Sequence, residues 1–275
     1  MSTPSLSAFS PLSIVFKDTD SSVPLLTRHE GVACIYLNRP QHFNRLHQED
    51  LDHLLALFDK INLDQSIKVV VLTANPLTPK PMFSAGFNVG EFNDDSNSNG
   101  HGFERVPDAL EVLRPVTICA LNGAVIGGST DIALACDFRW GVKGMSLRMP
   151  AAQIGLHFYP TGMQRYVSRW SLAMAKKAFL SAQVFTDAEL LNSGFLDELV
   201  TPEALLPQVF ELAQQISMLA PLAVQGMKKS LNLITQPAFN LLAVKQLEEE
   251  INQSQDFKEG RLALKQRRPP LFKGI

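Results

Sequence analysis

Cysteine is scarce in this sequence, neither sign of charge is in real excess, and long apolar runs are missing. Cys34, Cys119 and Cys136 are odd in number, sit in apolar stretches and show no C-x-x-C or Cys/His spacing. They read as reduced core thiols, not as a disulfide framework or a zinc site. Lys+Arg number 25 against 27 Asp+Glu, a formal net charge of -2 with no long block of one sign. That balance lacks the electrostatic footprint of a nucleic-acid or anionic-membrane partner. No stretch approaches the roughly 18 apolar residues of a membrane span. The opening MSTPSLSAFSPLSIVF lacks the basic segment and long apolar run of an export signal. A cytoplasmic protein with no nucleic-acid or membrane partner is expected. His42, His47 and His53 do not share a helix face, so no metal site is expected. Neither a G-x-G-x-x-G fingerprint nor a glycine loop ending in a Walker-type lysine occurs.

What is present is a chain of 275 residues, 45% hydrophobic, which excludes disorder and collagen-like repeats and allows one or two folding units. Val32 to Leu37 is a run of β-formers that stops before Pro40, and reads as a strand. QEDLDHLLALFDKINLD carries Leu51, Leu54, Leu55, Phe58 and Ile61 at helical spacing, with acids near its start. Ile67 to Thr73 is a nearly all-apolar, β-branched run of the kind buried on both faces, and Val116 to Leu121 reads as a second buried strand. The breaker-rich NPLTPKP leads to FSAGF at 83–87, and the polar tract Asn93 to Gly102 reads as a surface loop. After NGAVIGG, the segment STDIALACD is compatible with a helix; Phe138 to Val142 is strand-like, and helices follow from about Thr161. Pro202 to Gln266 is helical in pattern throughout. The expected organisation is an α/β core over 1–200 and a C-terminal helical region over 201–275.

The chemistry-bearing segments are two strand-to-turn junctions, FSAGF (Phe83 to Phe87) and NGAVIGGSTD (Asn122 to Asp131). Small residues there let a ligand carbonyl approach the main chain, and each junction can offer an N–H. Either alone is compatible with a mere turn; two converging donors make an oxyanion hole.

At these residues the sequence resembles the crotonase, or enoyl-CoA hydratase/isomerase, superfamily. LNRPQHFNRL is similar to that family's first strand exit, and FSAGFNVGEF and NGAVIGGSTDIALACD to its two oxyanion segments. LLNSGFLDELV, APLAVQGMKKSLN and EGRLALKQRRPPLFKG are similar to its last core strand and CoA-proximal helices. The resemblance implies an α/β fold, a crotonase-like spiral of ββα turns with a C-terminal helical trimerisation region. It also implies homotrimers or dimers of trimers. It implies Phe87 and Gly128 N–H donors on the thioester oxygen of an acyl-CoA, which brings its own coenzyme A, so no separate cofactor. A CoA subsite is implied at Asn44, Arg45 and Leu46, at Ser84, Ala85 and Phe87, and at Phe272 and Lys273 near the C-terminus, for which a solvated tail is the alternative.

Two positions depart from the family pattern. Family hydratases use two glutamates; here Asp131 occupies the first position and Ala151, after Pro150, the second. Alanine carries no proton, which sets this chain apart from two-carboxylate syn-hydration. Dienoyl-CoA isomerases carry an aspartate at the first position, but their further acids are Ala151 and Tyr159 here. His157 and Tyr159, in GLHFYPTG, are therefore candidates for acid or base, His157 having an ordinary pKa near 6.5. A structural reading stands beside each: a loop histidine bonded to backbone, and for Asp131 a helix cap or ion-pair partner. The expected function is an acyl-CoA enzyme that isomerises or hydrates a double bond. A non-catalytic acyl-CoA binder and a hydrolase in which His157 activates water are the alternatives.

Overall fold

The computed structural model describes residues 22–88, 90, 102–235, 250 and 253–275. The apolar runs become the centre of a six-stranded sheet in the order β1-β2-β3-β5-β7-β10. Its strands are β1 (Leu25–His29), β2 (Val32–Leu37), β3 (Val69–Ala74), β5 (Val116–Leu121), β7 (Phe138–Val142) and β10 (Glu198–Val200). Every residue of β2, β3 and β5 is buried, which is why these runs are continuous in apolar character rather than alternating. Only β1 is antiparallel to its neighbour; the rest of this sheet is parallel.

A second sheet, β4 (Met82–Ser84), β6 (Ala124–Ile126), β8 (Ser146–Arg148) and β9 (Val184–Thr186), stands beside the first. β4, β6 and β8 are parallel; β9 closes the edge antiparallel. Helices α1 (Gln48–Leu63), α2 (Arg105–Glu111), α3 (Ser129–Ala135) and α4 (Pro160–Arg169) alternate with these strands, and α5 (Leu172–Ser181) and α6 (Asp187–Asn192) follow. The chain thus runs β3-β4-α2, β5-β6-α3, β7-β8-α4, laying one strand in each sheet before each helix. This is the ββα spiral that the resemblance implies.

Three strands, β2, β5 and β7, follow the sequence reading residue for residue at both ends, as does the start of α7 (Pro202–Ser217). β3 begins at Val69, two residues after Ile67, because the Ile67 N–H is taken by a turn to Asp64 O at 3.1 Å. The second sheet leaves no strand signal in the sequence, since segments of three residues are too short to show a period. Past residue 200, α7 lies on β2, β3, β5 and β7, burying Leu205, Val209, Phe210 and Ala213 at helical spacing. α8 (Pro221–Ile234) follows, and α9 (Gln255–Gln266) receives the C-terminal tail. The tail is anchored by Lys273 and Gly274 N–H groups that donate to the Asp256 carboxylate at 2.7 and 2.9 Å. Residues 93–101 of the polar tract lie outside the described residues. No helix among the described residues is long and apolar enough to cross a membrane. Cys34, Cys119 and Cys136 are buried and unbridged, and burial pushes the Cys34 thiol up to about 12.

Candidate active site

The two glycine junctions leave the second sheet side by side because β4 and β6 are parallel neighbours, Met82 opposite Ala124 and Ser84 opposite Val125. They then touch backbone to backbone. Gly86 has φ +87, and a Cβ built on it would lie 2.6 Å from Ile126 O and 3.3 Å from Gly128 N. Only glycine fits both the dihedral and the space. Gly127 follows with φ +61. Hydroxyls lock the junction: Ser84 donates to Asn44 O at 2.8 Å, and Ser129 donates to Ile126 O at 2.7 Å and Ser84 O at 3.1 Å. The turn uses the Gly127 N–H on Arg148 O at 2.9 Å, and leaves the Gly128 N–H without a protein acceptor among the described residues.

A third segment joins them. Leu46 N–H donates to Gly86 O and Asn88 N–H to Leu46 O, both at 2.8 Å, making a parallel bridge between Leu46 and Phe87. Buried Asn44 donates through Nδ2 to Asn75 O at 3.0 Å and Met82 O at 3.3 Å. The residues Asn44, Arg45, Leu46, Ser84, Ala85 and Phe87, singled out from sequence, therefore form one continuous rim. Phe272 and Lys273 do not join it. Their tail lies against Pro221 and the Lys68 side chain, at the start of β3, whereas the rim lies beyond the other end of that strand.

Asp131, on the first turn of α3, is fully buried. Arg165 of α4 grips it in bidentate fashion, Nε on Oδ1 at 2.9 Å and Nη2 on Oδ2 at 2.7 Å, and the Tyr159 hydroxyl donates to Oδ2 at 2.5 Å. Arg165 Nη1 also donates to Asp108 at 2.8 Å and Glu111 at 3.0 Å, both on α2. Glu111 accepts a second cation, Arg169, at 2.9 Å, and Arg169 in turn donates to Asn232 of α8 at 3.1 Å. Burial pushes the Asp131 carboxyl above its ordinary range, against the pull of Arg165 and Tyr159. Burial, and then the charge of Asp131, hold the Tyr159 hydroxyl protonated well above the usual phenol range. Tyr159 is the outer end of this chain of groups, since Asp131 itself has no exposure.

Aromatic rings close the space around it. Phe158 stacks on Tyr159 with centroids 4.2 Å apart, and Phe103 stands 6.2 Å from Tyr159 and 5.7 Å from Phe87. Gly162 makes room for them: a Cβ there would lie 2.4 Å from the Phe158 ring and 2.6 Å from Tyr159. Ala151 is buried at the start of a 3-10 turn and brings no carboxylate. His157 is exposed on the loop before α4, and no hydrogen bond joins it to Asp131 or Tyr159. No group of three or more potential metal ligands occurs among the described residues.

Sequence reasoning did not find Arg165, Phe103, Phe158 or Glu111. Arg165 had one available signal, that an acid buried in the first turn of a core helix needs a counter-charge. Nothing in the spacing tells which of the chain's cations supplies it.

The family model for enoyl-CoA hydratase/isomerase matches residues 27–274. A short-chain-enoyl-CoA hydratase of Clostridium acetobutylicum is 29% identical over 214 residues, covering 76% of this chain and 80% of its own. A crotonyl-CoA hydratase of Syntrophomonas wolfei is 27% identical over 212 residues, covering 76% of this chain and 80% of its own. The crystal structure of an enoyl-CoA hydratase from Bacillus anthracis superposes with a TM-score of 0.81 at 25% identity, over 92% of this chain and all of that one. With its ββα spiral, its paired glycine junctions and a match across nearly its whole length, the chain belongs to the enoyl-CoA hydratase/isomerase family.

Proposed function

We propose that the protein acts on acyl-CoA thioesters by moving a proton along the acyl chain, shifting a double bond rather than adding water. The observation that carries this is the backbone contact of Gly86 with Gly128 beside the Tyr159–Asp131 hydrogen bond. The thioester oxygen lies on the Phe87 and Gly128 N–H groups, which stabilise the negative charge that grows there as a proton leaves carbon. Tyr159 oxygen takes the proton from carbon while its own proton passes to Asp131 Oδ2. The reverse transfers return a proton to the other end of the allylic system. Both residues regain their starting state, and no water is consumed. Hydration needs a second group to deliver a proton while the first holds water, and Ala151 offers none. Homotrimers or dimers of trimers belong to the same proposal: Phe272 and Lys273, remote from the rim of their own chain, meet coenzyme A only on a neighbouring copy.

A second reading is a silent acyl-CoA binder, favoured by the two hydrogen bonds that tie Asp131 to Arg165. The third, a hydrolase based on His157, is disfavoured by the exposure of that side chain. The test is spectrophotometric, following the conjugated-thioester absorbance with crotonyl-CoA and with 3-hexenoyl-CoA. Absorbance is expected to rise with 3-hexenoyl-CoA, and Tyr159→Phe and Asp131→Asn are each expected to lower that rate by about 10²–10⁴-fold, the usual contribution of a positioned acid or base. Loss of absorbance with crotonyl-CoA would establish hydration instead. Tight binding without either change would establish the silent binder, and no binding would sink the acyl-CoA reading.

A further inference from the structure

We infer that Phe103 is the residue that sets acyl-chain length, and that its ring restricts the site to short acyl groups. This rests on the acyl-CoA reading above. Phe103 is 7% exposed, and its ring packs directly on the Gly128 backbone: a Cβ built on Gly128 would lie 2.6 Å from Phe103 Cζ and 2.8 Å from Cε1. The same ring faces Phe87 at 5.7 Å and Tyr159 at 6.2 Å. One side chain therefore borders both residues that carry the proposed oxyanion donors and the proposed proton-transfer group.

A thioester whose oxygen sits on those donors must place its first carbons beside Tyr159, between the hydroxyl and this ring. The wall behind Tyr159 cannot yield. Phe158 stacks on it, and Phe179 stands 5.2 Å from Phe158 and 4.6 Å from Tyr166, so the rings continue into the core. Below lies the ion-paired Asp131–Arg165 cluster, where an alkyl chain would displace charge–charge contacts. Among the described residues, the side that remains for further carbons is the one the Phe103 ring borders, over Gly128 and next to Phe87.

The measurement is calorimetric titration of butyryl-, hexanoyl- and octanoyl-CoA into the full-length wild type, Phe103→Ala and Phe103→Leu, with melting curves alongside. Wild-type affinity is expected to fall as the chain lengthens. Phe103→Ala should raise the octanoyl-to-butyryl affinity ratio by about tenfold or more, the lower bound of what a single methylene commands in an apolar pocket. Phe103→Leu, which keeps the position filled by a smaller apolar group, should give an intermediate ratio and serves as the test if the alanine variant does not fold. Equal wild-type affinity for the three esters, or ratios unchanged in the variants, would overturn the role of Phe103 and leave the acyl-CoA reading standing. Failure of the wild type to bind any of the esters would overturn both.

Discussion

Replacing Arg165 with Met is expected to cost about 3–5 kcal/mol of folding free energy, the range for removing one member of a buried ion pair. The guanidinium makes four hydrogen bonds to three carboxylates, and no other described cation reaches Asp131. Methionine fills the volume but leaves a fully buried acid with Tyr159 as its sole described side-chain donor. The cost should depend on pH in a defined direction. Burial already holds the Asp131 carboxyl above its ordinary range, and losing the guanidinium pushes it higher. A folded state that binds the proton more tightly than the unfolded state loses stability as pH rises through that folded-state value. The deficit of Arg165→Met therefore grows as pH rises toward that folded-state value and shrinks on acidification, as Asp131 becomes neutral. Urea titrations at several pH values read both effects, and adding Asp131→Leu to the same variant should recover much of the loss. A deficit below about 1 kcal/mol at neutral pH, the range of exposed pairs, would show that the cluster is solvated.

Gly86→Ala is expected to abolish most activity with a smaller loss of stability. The new residue must hold a left-handed backbone conformation, at about 1–3 kcal/mol, and its Cβ must escape from Ile126 O at 2.6 Å. Escape separates the two junctions, so the Phe87 and Gly128 amides can no longer point at one oxygen. Loss of a single preorganised donor of this kind lowers kcat about 10²–10³-fold. Gly144→Ala supplies the control. Gly144 has a similar φ of +83, but nothing lies within 4 Å of its added Cβ. It should show the stability loss without the loss of turnover on 3-hexenoyl-CoA. If Gly86→Ala and Gly144→Ala lose activity equally, contact between the junctions is not what organises the site.

The parts of this molecule that sequence reveals are those written in contiguous residues. Val116 to Leu121 is apolar at all but Thr117, buried throughout and bounded by breakers, so both its ends are legible. The junction glycines are legible as a pair because each follows a buried strand, and the order of motifs carries the family resemblance. Asp131 was legible as a position but not as an environment: Tyr159, Arg165, Asp108 and Glu111 come from other helices and turns, and only the fold gathers them. Phe103 was invisible for a related reason. It stands at the end of a polar tract and gains its meaning only from the bare backbone of Gly128. His157 shows the converse, a chemically suggestive side chain that the loop turns outward.

Glu111 has one oxygen on Arg165 and the other on Arg169, and its backbone carbonyl accepts from Asn232 Nδ2 at 3.0 Å. The helix that a division at residue 200 would assign to a separate unit thus helps fix the charge environment of the acid at the centre of the core. A protein trimmed at that division, or a chimera that grafts a relative's C-terminal helices onto this core, inherits a site whose electrostatics were balanced by the missing piece. The two segments are joined through one relay of charges, Asn232 to Arg169 and Glu111 to Arg165, so a change at Asn232 is felt at Asp131 although the two residues never meet.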